Sequence, residues 1–267
     1  MEDKKISILG CGWLGFPLAV YLNKKGYSIK GSTTRHEKLR ILEKGGITPF
    51  LMTIDDKKII GEPKLFLDSD ILILNIPPKR IPGIVEFYDG QMNLILKQLD
   101  NSPVKFVIFI SSTSVYQNTN TLVDESTQPI PEKESGKALF QAENKFQTRQ
   151  NFSTTIIRFA GLIGEDRNPG NFLAGKKNLS GGMNQVNQIH MDDCIGIVEA
   201  IIEQECTDEL FNGCHPDHPS RKKYYVKMAR KMGLKPPTFN NLPDNDFKIV
   251  SGKKVEEVLN YRYRVNI

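Results

Sequence analysis

The chain has 267 residues, 25% of them charged, a formal net charge of +5 and four cysteines, which fits one full α/β domain with a modest appendage. No apolar run approaches the roughly 20 residues that a membrane-spanning helix needs, and no nucleic-acid recognition motif accompanies the mild basic excess. The cysteines (Cys11, Cys194, Cys206 and Cys214) are widely spaced, which predicts free thiols and no metal site. Residues 1–5 lead straight into an apolar run and leave no room for a secretion signal, so the expected location is cytoplasmic. In chain order, Ile6 to Leu9 reads as a buried strand, followed by a glycine turn and a helix from Phe16 to Lys25. A second strand, Tyr27 to Thr33, precedes a helix through Leu39 and Leu42, and a third runs from Ile47 to Thr53. The strongly apolar fourth strand, Asp70 to Asn75, is halted by Pro77-Pro78. A helix over Val85 to Leu99 leads to the fifth strand, Lys105 to Ile110. A further helix, Glu134 to Arg149, leads to the sixth, Thr154 to Phe159.

Alternating strands and helices, with strands apolar almost throughout, predict a doubly wound parallel-sheet Rossmann fold of the α/β class, covered on both faces. Past Gly161 the pattern loosens. Asp192 or Asp193 is expected to cap a helix over Ile195 to Ile202. Ser220 and Arg221 open another helix that ends near Gly233, and Ser251-Gly252 opens a last short one to Leu259. The expected division is a dinucleotide-binding domain over 1–164, rejoined by 186–205, and a small C-terminal, substrate-side lobe over 165–185 and 206–267.

Gly10-Cys11-Gly12-Trp13-Leu14-Gly15 sits between strand and helix, the context that gives a G-x-G-x-x-G match meaning. Gly10 allows the tight turn, Gly12 lets a pyrophosphate approach the backbone, and Gly15 lets the helix pack on the sheet. Trp13 and Leu14 then offer free N–H groups at the positive end of the helix. The end of the second strand, Gly31-Ser32-Thr33-Thr34-Arg35, has no carboxylate for ribose hydroxyls. Thr34 and Arg35, with Lys38 one turn on, suit a 2′-phosphate, so NADP(H) is expected ahead of NAD(H). Asn75 and Pro77, closing the fourth strand, are expected to touch the cofactor.

Further motifs resemble the extended short-chain dehydrogenase/reductases of the NAD-dependent epimerase/dehydratase group, and among these the atypical members. They are Phe109-Ile110-Ser111-Ser112-Thr113-Ser114-Val115-Tyr116, Arg158-Phe159-Ala160-Gly161-Leu162-Ile163-Gly164 and Asn187-Gln188-Ile189-His190-Met191-Asp192-Asp193. The resemblance implies Ser112 as the catalytic hydroxyl and places Ser111, Ala160 and Gly161 against the cofactor. It breaks at the proton donor. Alignment on Ala142-Glu143 puts Ser135 and Leu139 where the family carries a Tyr and a Lys, and no Tyr lies between Tyr116 and Tyr224. Tyr116 is therefore the candidate acid, ahead of Glu125, Lys137 and His190. Thr113 and Ser114 replace the acidic pair of the dehydratase branch.

Two readings follow. One is an oxidoreductase or epimerase on a polar carbonyl or sugar-nucleotide-like substrate, with a modified acid–base site. The other, ranked second, is a silent dinucleotide sensor or scaffold. The expected partners are a small-molecule substrate and, at most, a second copy of the chain as a homodimer. Nucleic acid and membrane are not expected.

Overall fold

The computed structural model describes residues 4–240, 242 and 246–267. The first three residues, on which the expectation about a secretion signal partly rests, lie outside them. Seven parallel strands form one sheet: β1 (Lys5–Leu9), β2 (Ser28–Thr33), β3 (Thr48–Leu51), β4 (Ile71–Leu74), β5 (Phe106–Ser112), β6 (Ser153–Phe159) and β7 (Leu210–Gly213). Their order across the sheet is β3-β2-β1-β4-β5-β6-β7. The winding reverses between β1 and β4, and ligands bind such sheets in the crevice at the carboxyl ends beside that point.

Side chains alternate between two cores, as the two-residue repeat of a strand requires. On one face Ile6, Ile8, Ile71, Ile73 and Ile108 pack with α1 (Gly15–Lys24) and α5 (Met191–Glu203). On the other, Leu72, Leu74, Val107 and Phe109 pack with α3 (Ile84–Leu99) and α4 (Glu134–Gln147). The short α2 (Leu39–Lys44) adds Leu42 to the first core. All four residues of β4 are buried, the burial its unbroken apolar run predicts. Ser7, fully buried in β1, is satisfied by donating to the Phe66 carbonyl.

One expectation needs correction. Residues 210–213, assigned to the small lobe, supply the edge strand β7 of the main sheet, with Phe211 buried against Ile157 and its neighbours. Outside the main sheet the strands are short and pair across the expected division. Residues 161–163 pair with 188–190, and 122–123 pair with 249–250. Alongside them lies α6 (Arg221–Lys231), capped by the Ser220 hydroxyl accepting from Lys223 N–H. The helix α5 is capped by His190, whose Nδ1 accepts from Asp192 N–H at 3.2 Å, and neither aspartate performs that role. Asp193 is instead fully buried and accepts from Tyr261 Oη–H and Arg264 N–H. No described helix is long and apolar enough to cross a membrane.

Candidate active site

The glycine turn is built by contacts that exclude other residues. Gly10 has φ +105°, a left-handed value, and a Cβ there would lie 2.5 Å from the Asn75 carbonyl oxygen. A Cβ on Gly15 would fall 2.2 Å from the Gly10 oxygen, so the helix can sit this close to the strand only with glycine. Asn75 Nδ2 donates to the Gly10 carbonyl at 2.9 Å, and Ser32 receives the turn on its other side. Its Oγ accepts from Gly10 N–H and its carbonyl from Cys11 N–H, each at 2.9 Å. Burial pushes the Cys11 thiol up to about 12, which leaves it inert in the turn.

Gly12 behaves differently: a Cβ built there meets nothing within 4 Å. No protein acceptor meets the backbone N–H of Trp13 or Leu14 among the described residues, and these groups stand at the N-terminal end of α1. Open space over a glycine, bare amide donors and the positive end of a helix dipole together fit a diphosphate.

Beside the turn opens a cavity of about 390 Å³ at the carboxyl ends of β1, β2 and β4. It brings together Gly10, Gly12, Thr34, Arg35, Asn75 and Pro77 from the sequence expectation. It also gathers residues that the expectation missed: Lys79 on one rim, and Met52, Ile54 and Gln91 deeper in. Gln91 is held there by donating to the Ile54 carbonyl at 2.6 Å. Lys38, expected as a second cation, also lines the cavity. Among the described residues, three cations and no carboxylate line it. The backbone N–H of Arg35 donates to Thr33 Oγ1 at 3.2 Å, which sets the extended residue at the strand end. The only signal for Lys79 in the sequence was a basic pair, Lys79-Arg80, directly after the two prolines that stop β4.

Trp13, Leu14 and Gly15 form the turn without walling this cavity, and Ser111, Ser112, Tyr116, Ala160 and Gly161 do not border it either. The last five lie at the carboxyl ends of β5 and β6 or just beyond. Ser112 is half-buried, and its Oγ accepts from Ser114 N–H at 3.2 Å, leaving its own proton free to donate. Ala160 N–H donates to the Gly213 carbonyl, and exposed Gly161 N–H to the Asn187 carbonyl.

Ser111 and Tyr116 belong to a buried polar chain. Ser111 Oγ–H donates to Glu143 at 2.5 Å. Arg158 grips the same carboxylate with Nε at 3.1 Å and Nη2 at 2.5 Å, and its Nη1 donates to Tyr116 Oη at 2.8 Å. Tyr116 Oη–H in turn donates to Asn212 Oδ1 at 3.0 Å. Tyr116 is only 2% exposed. Burial pushes its phenol up, further from neutrality, despite the neighbouring guanidinium. Burial would also weaken the charge on Arg158, and the bonds to Glu143 more than restore it. The geometry takes Tyr116 out of the set of proton donors for a substrate, because both capacities of its hydroxyl are already committed inside the core.

Ser135, Leu139 and Glu143 fall four residues apart and share one face of α4. A Cβ on Gly136 would lie 2.5 Å from the Ser114 carbonyl oxygen, so the start of α4 is pressed against the segment that follows Ser112. Neither Ser135 nor buried Leu139 carries an ionisable group there. Glu125, a weaker candidate, accepts from Asn212 N–H at 2.7 Å, and burial raises its carboxyl above the usual range. Lys137 pairs with Glu134 on the surface, and His190 caps α5.

No family model matches the chain. Protein YeeZ of Escherichia coli strain K12 is 33% identical over 264 residues, spanning 98% of this chain and 96% of that protein. Among solved structures, UDP-glucuronic acid 4-epimerase from Bacillus cereus, in complex with NAD, superposes with a TM-score of 0.80 at 19% identity, covering 98% of this chain and 92% of the other. A functionally unknown conserved protein from Silicibacter pomeroyi superposes with a TM-score of 0.78 at 20% identity, covering 98% and 94%. Likeness at this identity establishes the fold, and the likeness to YeeZ establishes kinship along nearly the whole length. The chain belongs to the family of Protein YeeZ, on the short-chain dehydrogenase/reductase fold of the NAD-dependent epimerase/dehydratase proteins.

Proposed function

We propose that the chain is an atypical short-chain dehydrogenase/reductase that prefers NADP(H) and acts as an oxidoreductase or epimerase on a polar carbonyl or sugar-nucleotide-like substrate. The observation that carries the cofactor choice is the cavity wall: Arg35, Lys38 and Lys79 face it with no carboxylate. A ribose 2′-hydroxyl calls for an acceptor such as Asp or Glu, whereas a 2′-phosphate calls for cations and finds three. The bare N–H groups of Trp13 and Leu14 and the space over Gly12 support diphosphate binding. A bound nicotinamide supplies hydride transfer. The chain's part is to orient the substrate: Ser112 Oγ–H donates to the reacting oxygen while Ser114 N–H holds the same hydroxyl from behind. The relative from Bacillus cereus acts on a UDP-sugar, which supports a polar, hydroxyl-rich substrate here. The dinucleotide belongs to the sheet domain and the substrate to the side of the small lobe, and the setting is cytoplasmic.

A second reading, a dinucleotide sensor without turnover, is favoured by one observation: Tyr116 is locked in the core and α4 presents Ser135 and Leu139. Titration with NADPH and NADH, followed by a panel of carbonyl and sugar-nucleotide compounds, separates the two. Arg35→Ala is expected to weaken NADPH about tenfold and NADH little, since each charged contact carries roughly 1.5–3 kcal/mol. Equal loss for both nucleotides overturns the cofactor choice. Tight NADPH binding with no oxidation across the panel selects the sensor.

A further inference from the structure

The helix α6 presents one face made mostly of cations. At about 100° per residue, Lys222, Lys223, Lys227, Arg230 and Lys231 fall within roughly half a turn. All five are exposed, while Tyr224 and Ala229 are buried on the other side. The neighbouring segment adds three more. Gly175 N–H donates to the Lys235 carbonyl at 2.7 Å and Thr238 N–H to the Lys176 carbonyl at 3.0 Å, which gathers exposed Lys176, Lys177 and Lys235 just past the end of the helix. The sequence has no Asp or Glu between Asp166 and Asp192, nor between Asp217 and Asp244. Among the described residues none of these eight cations is in an ion pair. Eight exceeds the formal net charge of +5, so the rest of the chain is net negative and the molecule is polarised toward the lobe. Large apolar side chains stand at both ends of the same face. Met183, 78% exposed, follows Gly182, whose carbonyl accepts from Lys222 N–H at 2.9 Å. Met232 is exposed directly after Lys231, and a Cβ on Gly170 would come within 2.6 Å of its Sδ. Phe172, also exposed, is held on that side by Tyr225, with the ring centres 6.5 Å apart.

The helix dipole explains only part of this charge. It favours Arg230 and Lys231 in the last turn and opposes Lys222 and Lys223 in the first, where no acidic residue offsets them. Cations that no protein group neutralises call for a polyanion. Nucleic acid is held by aromatic faces on which bases stack, and the exposed thioethers at the two ends of this face offer none. The same side chains gain by entering the boundary between head groups and acyl chains. We infer that this face of the lobe docks on an anionic membrane surface. The cations of α6, with Lys176, Lys177 and Lys235, lie among the phosphate head groups, and Met183, Met232 and Phe172 reach the acyl boundary. This is attachment at the interface without a spanning segment. A long apolar run marks only a spanning helix, so the sequence expectation of no membrane partner passed over a face of this kind. The inference does not rest on the proposed function, since none of these residues lines the dinucleotide cavity.

Flotation of the full chain with vesicles tests this, using phosphatidylcholine alone and an equimolar mixture of phosphatidylcholine and phosphatidylglycerol. The chain is expected to float with the mixture and not with phosphatidylcholine, and about 0.5 M salt is expected to loosen it. Each cation near such a surface contributes about fivefold in affinity, so Lys223→Gln, Lys227→Gln and Lys231→Gln together should weaken binding on the order of a hundredfold. Met183→Ser, which leaves the charge unchanged, should weaken it about threefold or more. Melting temperatures equal to the parent's show both variants folded, as expected of four exposed side chains. A control protein with Lys44→Gln, Lys57→Gln and Lys64→Gln, exposed lysines outside the lobe, should stay within about twofold of the parent. Equal binding to the two vesicle types, undiminished binding by either lobe variant, or as large a loss in the control protein overturns the inference. Poly(U) bound by a chain that leaves anionic vesicles untouched also overturns it and gives the face to RNA.

Discussion

The guanidinium of Arg167 lies over the indole of Trp13, 4.4 Å from the ring. The benzo edge of the ring lies by Gly164, where a Cβ would come within 2.9 Å of Cζ2. Arg167 N–H donates to the Gly164 carbonyl at 3.1 Å, so one tight turn carries both contacts to the indole. Trp13 is the chain's single tryptophan, and its own backbone amide belongs to the glycine turn. Its environment is therefore tied to the occupancy of that turn.

Trp13 emission is expected to change on titration with NADPH, and Arg167→Ala is expected to alter the emission of the free protein by removing the stacked cation. Fluorescence spectra of both proteins, with and without nucleotide, check this. Nucleotide binding by calorimetry with an unmoved spectrum refutes it.

The two outer glycines and the middle one should fail in different ways. Gly15→Ala forces a methyl group against the Gly10 carbonyl and is expected to cost on the order of 1–3 kcal/mol of stability, read as a fall in melting temperature. Gly12→Ala meets no protein atom, so its melting temperature should hold while dinucleotide affinity drops about tenfold or more. A Gly12→Ala protein that binds like the parent would show that no phosphate approaches that backbone.

Breaking the buried ion pair should be costly from either side. Glu143→Gln leaves Arg158 buried without its counter-charge and is expected to lose about 3–5 kcal/mol in chemical denaturation. Replacing Glu143 and Arg158 together by apolar residues of similar volume should lose clearly less than the sum of the two single changes. Additive losses would mean that the pair is not coupled.

His218 predicts an acid limb to stability. Burial lowers its pKa below the ordinary 6.5, with His215 adding to the shift and the Val186 carbonyl and Asp217 opposing it. The unfolded chain then binds the extra proton first, so this contribution is complete above about pH 6.5 and is lost as pH falls through the folded value. His218→Asn should flatten the loss of melting temperature as pH falls below about 6.5. An unchanged slope would place the acid sensitivity elsewhere.

The alternation of strands and helices was legible because the central strands β4 and β5 are apolar on both faces over most of their length, and the glycine turn because its spacing answers to a backbone requirement. The edge strand β7 was not. It is four residues long and carries Asn212, whose partner Tyr116 comes from 96 positions earlier, so nothing local marks it. The same distance hid the fate of Tyr116: its spacing from Ser112 suggested reach into the site, and only Arg158 and Asn212, brought in by two later strands, hold it inside. His190 took the cap expected of an aspartate because its ring nitrogen can accept the same backbone bond. Lys79 was hidden because an exposed lysine after a proline pair reads as ordinary surface until the cavity beside it is seen.

The position of β7 at the edge of β6 has a bearing on how the protein is made. The β6 backbone meets its outer neighbour through residues 208–213, drawn from the last quarter of the chain. A ribosome that has released the first 200 residues has therefore exposed a nearly finished sheet with one raw margin of unpaired amides and carbonyls, the kind of margin that recruits strands from other molecules. Fragments ending short of Leu210 should aggregate through that margin, whereas those reaching past Gly213 should stay dispersed.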